Sequence, residues 1–165
     1  MLNKKKNTVS VSIIGGSGYT GAELIRLISK HCYFELNQVV ANRNAGKKIQ
    51  DIFPHLRHLK LPDFISFEQM NFENVDLIFC ALPHSTSQEI IVKIPKGKKI
   101  IDLSADFRLE RIEEYERWYG SKHIAHSLQE EAVYGLTEIY KEKIKNGSLI
   151  ACTGCNSAAT LYPVL

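Results

Sequence analysis

Short apolar runs alternate along the chain with stretches in which apolar residues recur every three or four positions. Residues 9–14, 36–41, 76–81, 99–103 and 149–152 are each rich in Val, Ile, Leu or Phe, and they read as buried strands. Between the first two, residues 19–29 set Ala22, Leu24, Ile25, Leu27 and Ile28 at helical spacing, with Glu23, Arg26 and Lys30 turned outward. Residues 85–92 and 111–119 read as further helices, and 138–145 as a shorter one. This alternation is the pattern of βαβ units and predicts an α/β fold built on a doubly wound parallel sheet. The last stretch, 155–165, has the pattern of the opening turns of a helix. A domain boundary ordinarily falls in a polar linker, so the expectation is a fragment of something longer.

Composition narrows the function classes. The chain has 165 residues, 44% hydrophobic and 24% charged, which suits one globular domain with its own core. A formal net charge of +3 does not suggest nucleic acid. The basic run Lys4-Lys5-Lys6 sits at an N-terminus expected to fray. No apolar stretch approaches the ~18 residues of a membrane helix, and no apolar segment follows the N-terminal lysines as a secretion signal requires. Four cysteines (Cys32, Cys80, Cys152 and Cys155) in a chain of this length read as reduced cytosolic thiols rather than a disulfide framework. The compartment expected is the cytoplasm.

Directly after the first strand comes Gly15-Gly16-Ser17-Gly18-Tyr19-Thr20-Gly21, in which Gly16, Gly18 and Gly21 satisfy G-x-G-x-x-G. With a strand before it and a helix opening within it, the loop reads as the dinucleotide site of a Rossmann-like domain. Glycine is needed where a Cβ would block the tight turn or the approach of backbone to pyrophosphate. The bland alternative is a glycine-rich turn without a ligand. An NAD-preferring site places Asp or Glu about 20 residues beyond the loop. Here the second strand leads instead into Asn42-Arg43-Asn44, with Lys47 and Lys48 following. A carboxylate would repel a 2′-phosphate, whereas the Arg43 guanidinium pairs with one by charge and fork geometry. NADP(H) is therefore favoured over NAD, against the plainer possibility that these cations are only solvated surface charges.

Cys155 follows a strand and a Thr153-Gly154 turn, and it opens the final helix-like stretch. A helix start favours a thiolate through its dipole and free N–H groups, so position points to nucleophilic chemistry. Cys32 and Cys80, embedded in helical and strand patterns, read as small buried hydrophobes. Cys152 and Cys155 also spell C-x-x-C. A dithiol redox pair is one reading, but it leaves the glycine loop and Arg43 unexplained. A zinc site is another, but no second cysteine pair or H-x-x-x-H completes a ligand set, so no metal is expected.

In order and spacing, these segments resemble N-acetyl-γ-glutamyl-phosphate reductases. The run VSIIGGSGYTGAELIRLI from Val11 to Ile28 is similar to the family's N-terminal segment, with Gly16 where Ala is usual. The stretch 42–47 resembles the one that meets the NADP ribose phosphate, and Ala81-Leu82-Pro83-His84-Ser85 the A-L-P-H-G turn beside the nicotinamide half. Asp102-Leu103-Ser104-Ala105-Asp106-Phe107-Arg108-Leu109 matches D-L-S-A-D-F-R-L without a change. Tyr115, Trp118-Tyr119-Gly120 and Ala132-Val133-Tyr134-Gly135-Leu136-Thr137-Glu138 continue the match. The catalytic segment departs from the pattern: N-P-G-C-Y-P-T-A is usual, and here it reads Cys152-Thr153-Gly154-Cys155-Asn156-Ser157-Ala158-Ala159. Members also run about twice as long, with a second α+β domain that carries a catalytic His and the subunit interface.

The resemblance implies residues 1–150 as a dinucleotide-binding domain. It implies 151–165 as the catalytic-Cys segment and the start of a truncated catalytic and dimerisation domain. NADP(H) contacts fall to Gly15 through Gly21, Arg43, Pro83, His84 and Ser104; the nucleophile is Cys155; Arg108 and Asn156 meet substrate. The implied reaction reduces N-acetyl-γ-glutamyl phosphate to the semialdehyde through a Cys thioester, in a protein whose full-length members form homo-oligomers. Related readings remain, an aspartyl- or aminoadipyl-phosphate reductase or a non-catalytic NADP-binding module. For His84, lining the cofactor cleft is the plainer role than proton transfer. Arg108 and Asp106 read equally well as a structural ion pair, Glu138 as a residue of a helix's first turn, and Trp118 and Tyr119 as core.

Overall fold

The computed structural model describes residues 8–165, so the Lys4-Lys5-Lys6 run lies outside the described residues. The chain divides into two compact units, one ending at Ala81 and the other beginning at Leu82. This division reflects packing and is separate from the functional division expected after residue 150.

In the first unit, β1 (Val9–Ile14) leads through the glycine loop into α1 (Tyr19–Ile28), then β2 (Phe34–Val40), a one-turn helix α2 (Ile49–Ile52), β3 (Phe64–Ile65) and β4 (Leu77–Cys80). The strands lie in the order β3-β2-β1-β4, every pair parallel. Val11, Ser12, Ile13 and Ile14 are all buried, the signature of a strand covered on both faces. Ile25 and Ile28 of α1 pack with Val11, Ile13, Val39 and Phe64 into one core cluster, each fully buried apolar side chain contributing about 1.5–3 kcal/mol. The outward residues of α1 include Glu23 and Arg26, which form an ion pair one turn apart. Leu27, by contrast, is half exposed.

The second unit contains α3 (Thr86–Ile91), β5 (Lys99–Asp102), α4 (Ile112–Tyr119), α5 (His126–Glu131), β6 (Val133–Gly135), α6 (Thr137–Asn146), β7 (Leu149–Cys152) and α7 (Cys155–Leu161). Its strands run parallel in the order β5-β7-β6. Helix α4 stops at Gly120, whose φ of 66° is left-handed, a conformation glycine adopts without steric cost. Parallel strands alternating with helices make this the Rossmann-like α/β class that the apolar pattern predicts.

Two side-chain placements differ from expectation. Trp118 is 74% exposed rather than part of a core, and Tyr115 is the residue of α4 that is buried. Cys32 is exposed, since α1 has already ended at Ile28. Among the described residues no helix is long and apolar enough to cross a membrane.

Candidate functional site

The glycine loop is shaped by atoms it lacks. Gly15 and Gly16 both donate their N–H to the Val40 carbonyl at 2.9 Å, binding the loop to the end of β2. Gly15 sits at φ 89°, left-handed. A Cβ on Gly16 would overlap Val39 Cγ1, and one on Gly21 would stand 2.5 Å from the Gly16 carbonyl. These two glycines let α1 lie against the loop and the loop against β2. At Gly18 the opposite holds: nothing lies within 4 Å of where a Cβ would point. Backbone there opens onto free space, and Gly18, Tyr19 and Thr20 are exposed. This cradle fits a dinucleotide, with a close-packed floor and an open rim. Arg43 lies in the 3₁₀ turn Asn42–Asn44, three residues past the Val40 carbonyl that anchors the loop, with its side chain exposed. Lys47 Nζ donates to Asn44 Oδ1 at 3.2 Å.

The second unit is organised by two fully buried carboxylates. Asp102 accepts the Ser87 hydroxyl at 2.7 Å, the Ser104 hydroxyl at 2.6 Å and the Ser104 N–H at 3.1 Å. Burial pushes its carboxyl up, against the pull of those hydrogen bonds. Asp106 accepts the backbone N–H of Ser85 at 2.6 Å and of Gln88 at 2.9 Å, together with the Tyr115 hydroxyl at 3.0 Å. It thereby caps the start of α3 from a distant segment, supplying the acceptor and negative charge that a helix N-terminus needs. Burial, then the Asp106 carboxylate, push the Tyr115 phenol up to about 12. His123, buried between the rings of Phe107 and Tyr115, shares a hydrogen bond through Nε2 with the Asp106 carbonyl, while Nδ1 accepts the Ala125 N–H. Burial lowers its pKa.

Asp106 and Arg108 do not form an ion pair. Arg108 turns the other way, donating Nε to the Cys152 carbonyl and Nη2 to the Leu103 carbonyl, both at 2.8 Å. A Cβ on Gly154 would lie 3.0 Å from Arg108 Nη1, so the guanidinium sits directly beneath the turn that leads to Cys155. Cys155 begins α7 and is exposed; its Sγ lies 4.0 Å from Asn156 Oδ1. Cys152 is half-buried, and burial pushes its thiol up, so the exposed member of the pair is the better nucleophile by access. Cys80 is buried, the place its strand pattern indicates.

Pro83 and His84 are exposed on the loop ahead of α3, and the His84 ring lies 5.9 Å from that of Tyr119. Ser85 follows at φ 66°, a left-handed position where the resembling A-L-P-H-G turn has glycine. Ser104 is 5% exposed, its hydroxyl donated to Asp102 and accepting the Asp106 N–H. The segments carrying Pro83, His84, Ser104, Arg108 and Cys155 are thus joined by Ser85–Asp106 and Arg108–Cys152 hydrogen bonds. A cavity of about 620 Å³ beside them is lined by Arg108, Gln129 and Tyr134, among others, and not by Cys155 or Asn156. Glu138 lies in the first turn of α6 and accepts the Thr137 hydroxyl. The organising roles of Asp102, Asp106, Tyr115 and His123 escape a reading of the residues alone. Their partners are separated in sequence, and only the unbroken D-L-S-A-D-F-R-L match marked the segment.

A parallel α/β chain whose first strand opens into a glycine cradle of this shape is a dinucleotide-binding domain. The chain belongs to the semialdehyde dehydrogenase family, whose NAD-binding domain matches residues 10–147. It is 52% identical, over 95% of its length, to N-acetyl-gamma-glutamyl-phosphate reductase of Rhodobacter capsulatus, covering 46% of that protein. It is 48% identical over 98% of its length to a probable N-acetyl-gamma-glutamyl-phosphate reductase, chloroplastic, of Arabidopsis thaliana, covering 40% of it. The chain thus spans less than half the length of these curated relatives. Among solved structures, aspartate semialdehyde dehydrogenase with NADP from Candida albicans shares the fold. Its TM-score is 0.65 at 19% identity, over 96% of this chain and 46% of that one.

Proposed function

We propose that this chain is the NADP-binding half of an N-acetyl-γ-glutamyl-phosphate reductase, with Cys155 as nucleophile. The supporting observation is an exposed thiol on the turn after β7, within a chain half identical to reductases of that name. The acyl phosphate is the substrate. The Cys155 thiolate attacks its carbonyl carbon, the C–O bond to phosphate breaks, and a thioester remains. NADPH, when bound, would supply the hydride that adds to the thioester carbonyl carbon and leaves a thiohemiacetal alkoxide on Cys155. Collapse of the resulting thiohemiacetal releases the semialdehyde and returns the sulfur, with a proton from a donor outside these 165 residues. Gly15 through Gly21 cradle the pyrophosphate, Arg43 pairs with the 2′-phosphate, and Pro83, His84 and the Ser104 segment face the nicotinamide half. Arg108 and Asn156 meet the substrate; one guanidinium nitrogen faces Gly154 while the other two are held by carbonyls.

Residues 151–165 begin the second, catalytic and subunit-contact domain of a homo-oligomeric protein, and the compartment is the cytoplasm on the cysteine usage above. Alone, the chain binds NADPH and turns over substrate negligibly. Titration with NADPH and NADH, comparing the intact chain with Arg43→Ala, tests the cofactor assignment. A preference for NADPH that disappears in the variant is the expected result, and equal affinities in the intact chain would overturn it. Incubation with the acyl phosphate in the absence of NADPH, followed by mass spectrometry, tests the thiol: the acyl adduct belongs on Cys155 and not on Cys32.

A further inference from the structure

Two residues, Thr153 and Gly154, separate β7 from Cys155, and α7, with Gly154 as its N-cap, starts without a side-chain cap. What fixes their turn comes from neighbouring strands and loops. The Tyr134 hydroxyl of β6 lies 2.7 Å from Thr153 Oγ1. β6 runs beside β7 with Tyr134 opposite Ala151 and Gly135 opposite Cys152. This approach needs glycine, because a Cβ on Gly135 would stand 2.9 Å from both the Ala151 carbonyl oxygen and Cys152 Cα. The Tyr134 ring is braced edge-on by Tyr140 of α6, with centroids 6.2 Å apart. Arg108 secures the Cys152 carbonyl. Thr153 stands where the resembling catalytic segment has proline, which offers no hydroxyl, so this bond arises from the chain's own sequence.

We propose that Tyr134 is a positioning residue: through its hydroxyl bond to Thr153 it sets the Thr153-Gly154 turn, and with it the place and surroundings of the Cys155 thiol. The proposal rests on reading Cys155 as the nucleophile. Tyr134 does not itself meet the sulfur; it acts through Thr153. With the bond intact, the sulfur keeps one setting beside Asn156. Without it, the turn samples several, and reaction at sulfur slows by the fraction of time it is well placed.

The test uses the chain as it stands. Iodoacetamide labels its exposed thiols, and peptide mass spectrometry follows Cys155 and, in the same molecule, Cys32 as the reference. Tyr134→Phe and Thr153→Val are each expected to slow Cys155 by about three- to tenfold, the contribution of one net hydrogen bond. The double variant should be no slower than either single one, and Thr153→Ser should restore the intact rate. Cys32 labelling and NADPH affinity should stay constant throughout. Should Tyr134→Phe fail to fold, the Thr153→Val and Thr153→Ser pair decides alone. If Cys155 of the intact chain labels no faster than Cys32, the nucleophile reading falls. A fast Cys155 that stays fast in the folded Tyr134→Phe and Thr153→Val variants overturns the positioning role and leaves the nucleophile reading standing.

Discussion

Two loops leave the C-terminal ends of strands in this protein, and they are held in shape by opposite means. The loop from Gly15 to Gly21 owes its form to absent atoms: Gly16 and Gly21 pack where a methyl group would overlap Val39 or the Gly16 backbone. The segment from Asp102 to Arg108 owes its form to polar atoms deliberately buried, with two carboxylates at 0% exposure receiving six hydrogen bonds from Ser85, Ser87, Gln88, Ser104 and Tyr115. The first loop is damaged by adding a group and the second by removing one. A floor without side chains leaves backbone free to approach a ligand. A loop that must hold a helix start, a guanidinium and a buried imidazole together needs acceptors instead.

The largest loss is expected among the buried carboxylates. Asp106→Ala strands two backbone N–H groups and a phenol in the interior, and is expected to cost about 4 kcal/mol in chemical denaturation. Gly21→Ala forces backbone against backbone and should cost about 3 kcal/mol together with NADPH binding. Gly18→Ala meets open space, so it should leave stability within about 0.5 kcal/mol while weakening NADPH. Equal losses of stability in the two glycine variants would show that sterics do not shape the first loop.

The buried polar groups around Asp106 also respond to acid. His123 has its pKa lowered on folding from the ordinary 6.5, so its stabilising contribution is complete above that value. As pH falls towards the folded pKa, the unfolded chain takes up a proton that the folded one refuses, and stability declines by up to about 1.4 kcal/mol per pH unit. Asp102, with its pKa raised, works in the other sense: its contribution is full below 3.8 and fades as pH rises through the folded value. His123→Gln should therefore flatten the acid side of a stability–pH curve just below 6.5, and an unchanged slope there would refute the assignment. One substitution should bring a gain. Ser85 holds φ 66°, and Ser85→Gly should raise stability by about 1 kcal/mol, less the entropy of the freer unfolded chain, as a higher denaturation midpoint.

The elements with strong periodicity were legible in the sequence. β1 and β7 fall on the residues the apolar runs indicate, and α1, α3, α4 and α6 begin or end within a residue of their patterns. β3, with two residues, and β6, with three, were not, since neither is long enough to display an alternation. α5 was hidden for a related reason: six residues with Gln129 as its buried member show no apolar stripe. The glycine cradle was legible because each glycine has a local steric cause. Asp106 was not legible as a helix cap, because Ser85 and Gln88 lie 21 and 18 residues before it. Aromatic character alone does not fix burial either: in α4 Tyr115 is buried while Trp118, three residues on, is exposed.

The distance between α3 and its cap bears on how the chain acquires structure. Six residues are too few to hold a helix in water unaided, and the charge that completes this one belongs to a segment beyond the next strand. During synthesis, residues 86–91 would remain without lasting order until Asp106 had emerged and β5 had placed it. Ordering of α3 is then a late event, and substitutions within it should speed unfolding more than they slow refolding.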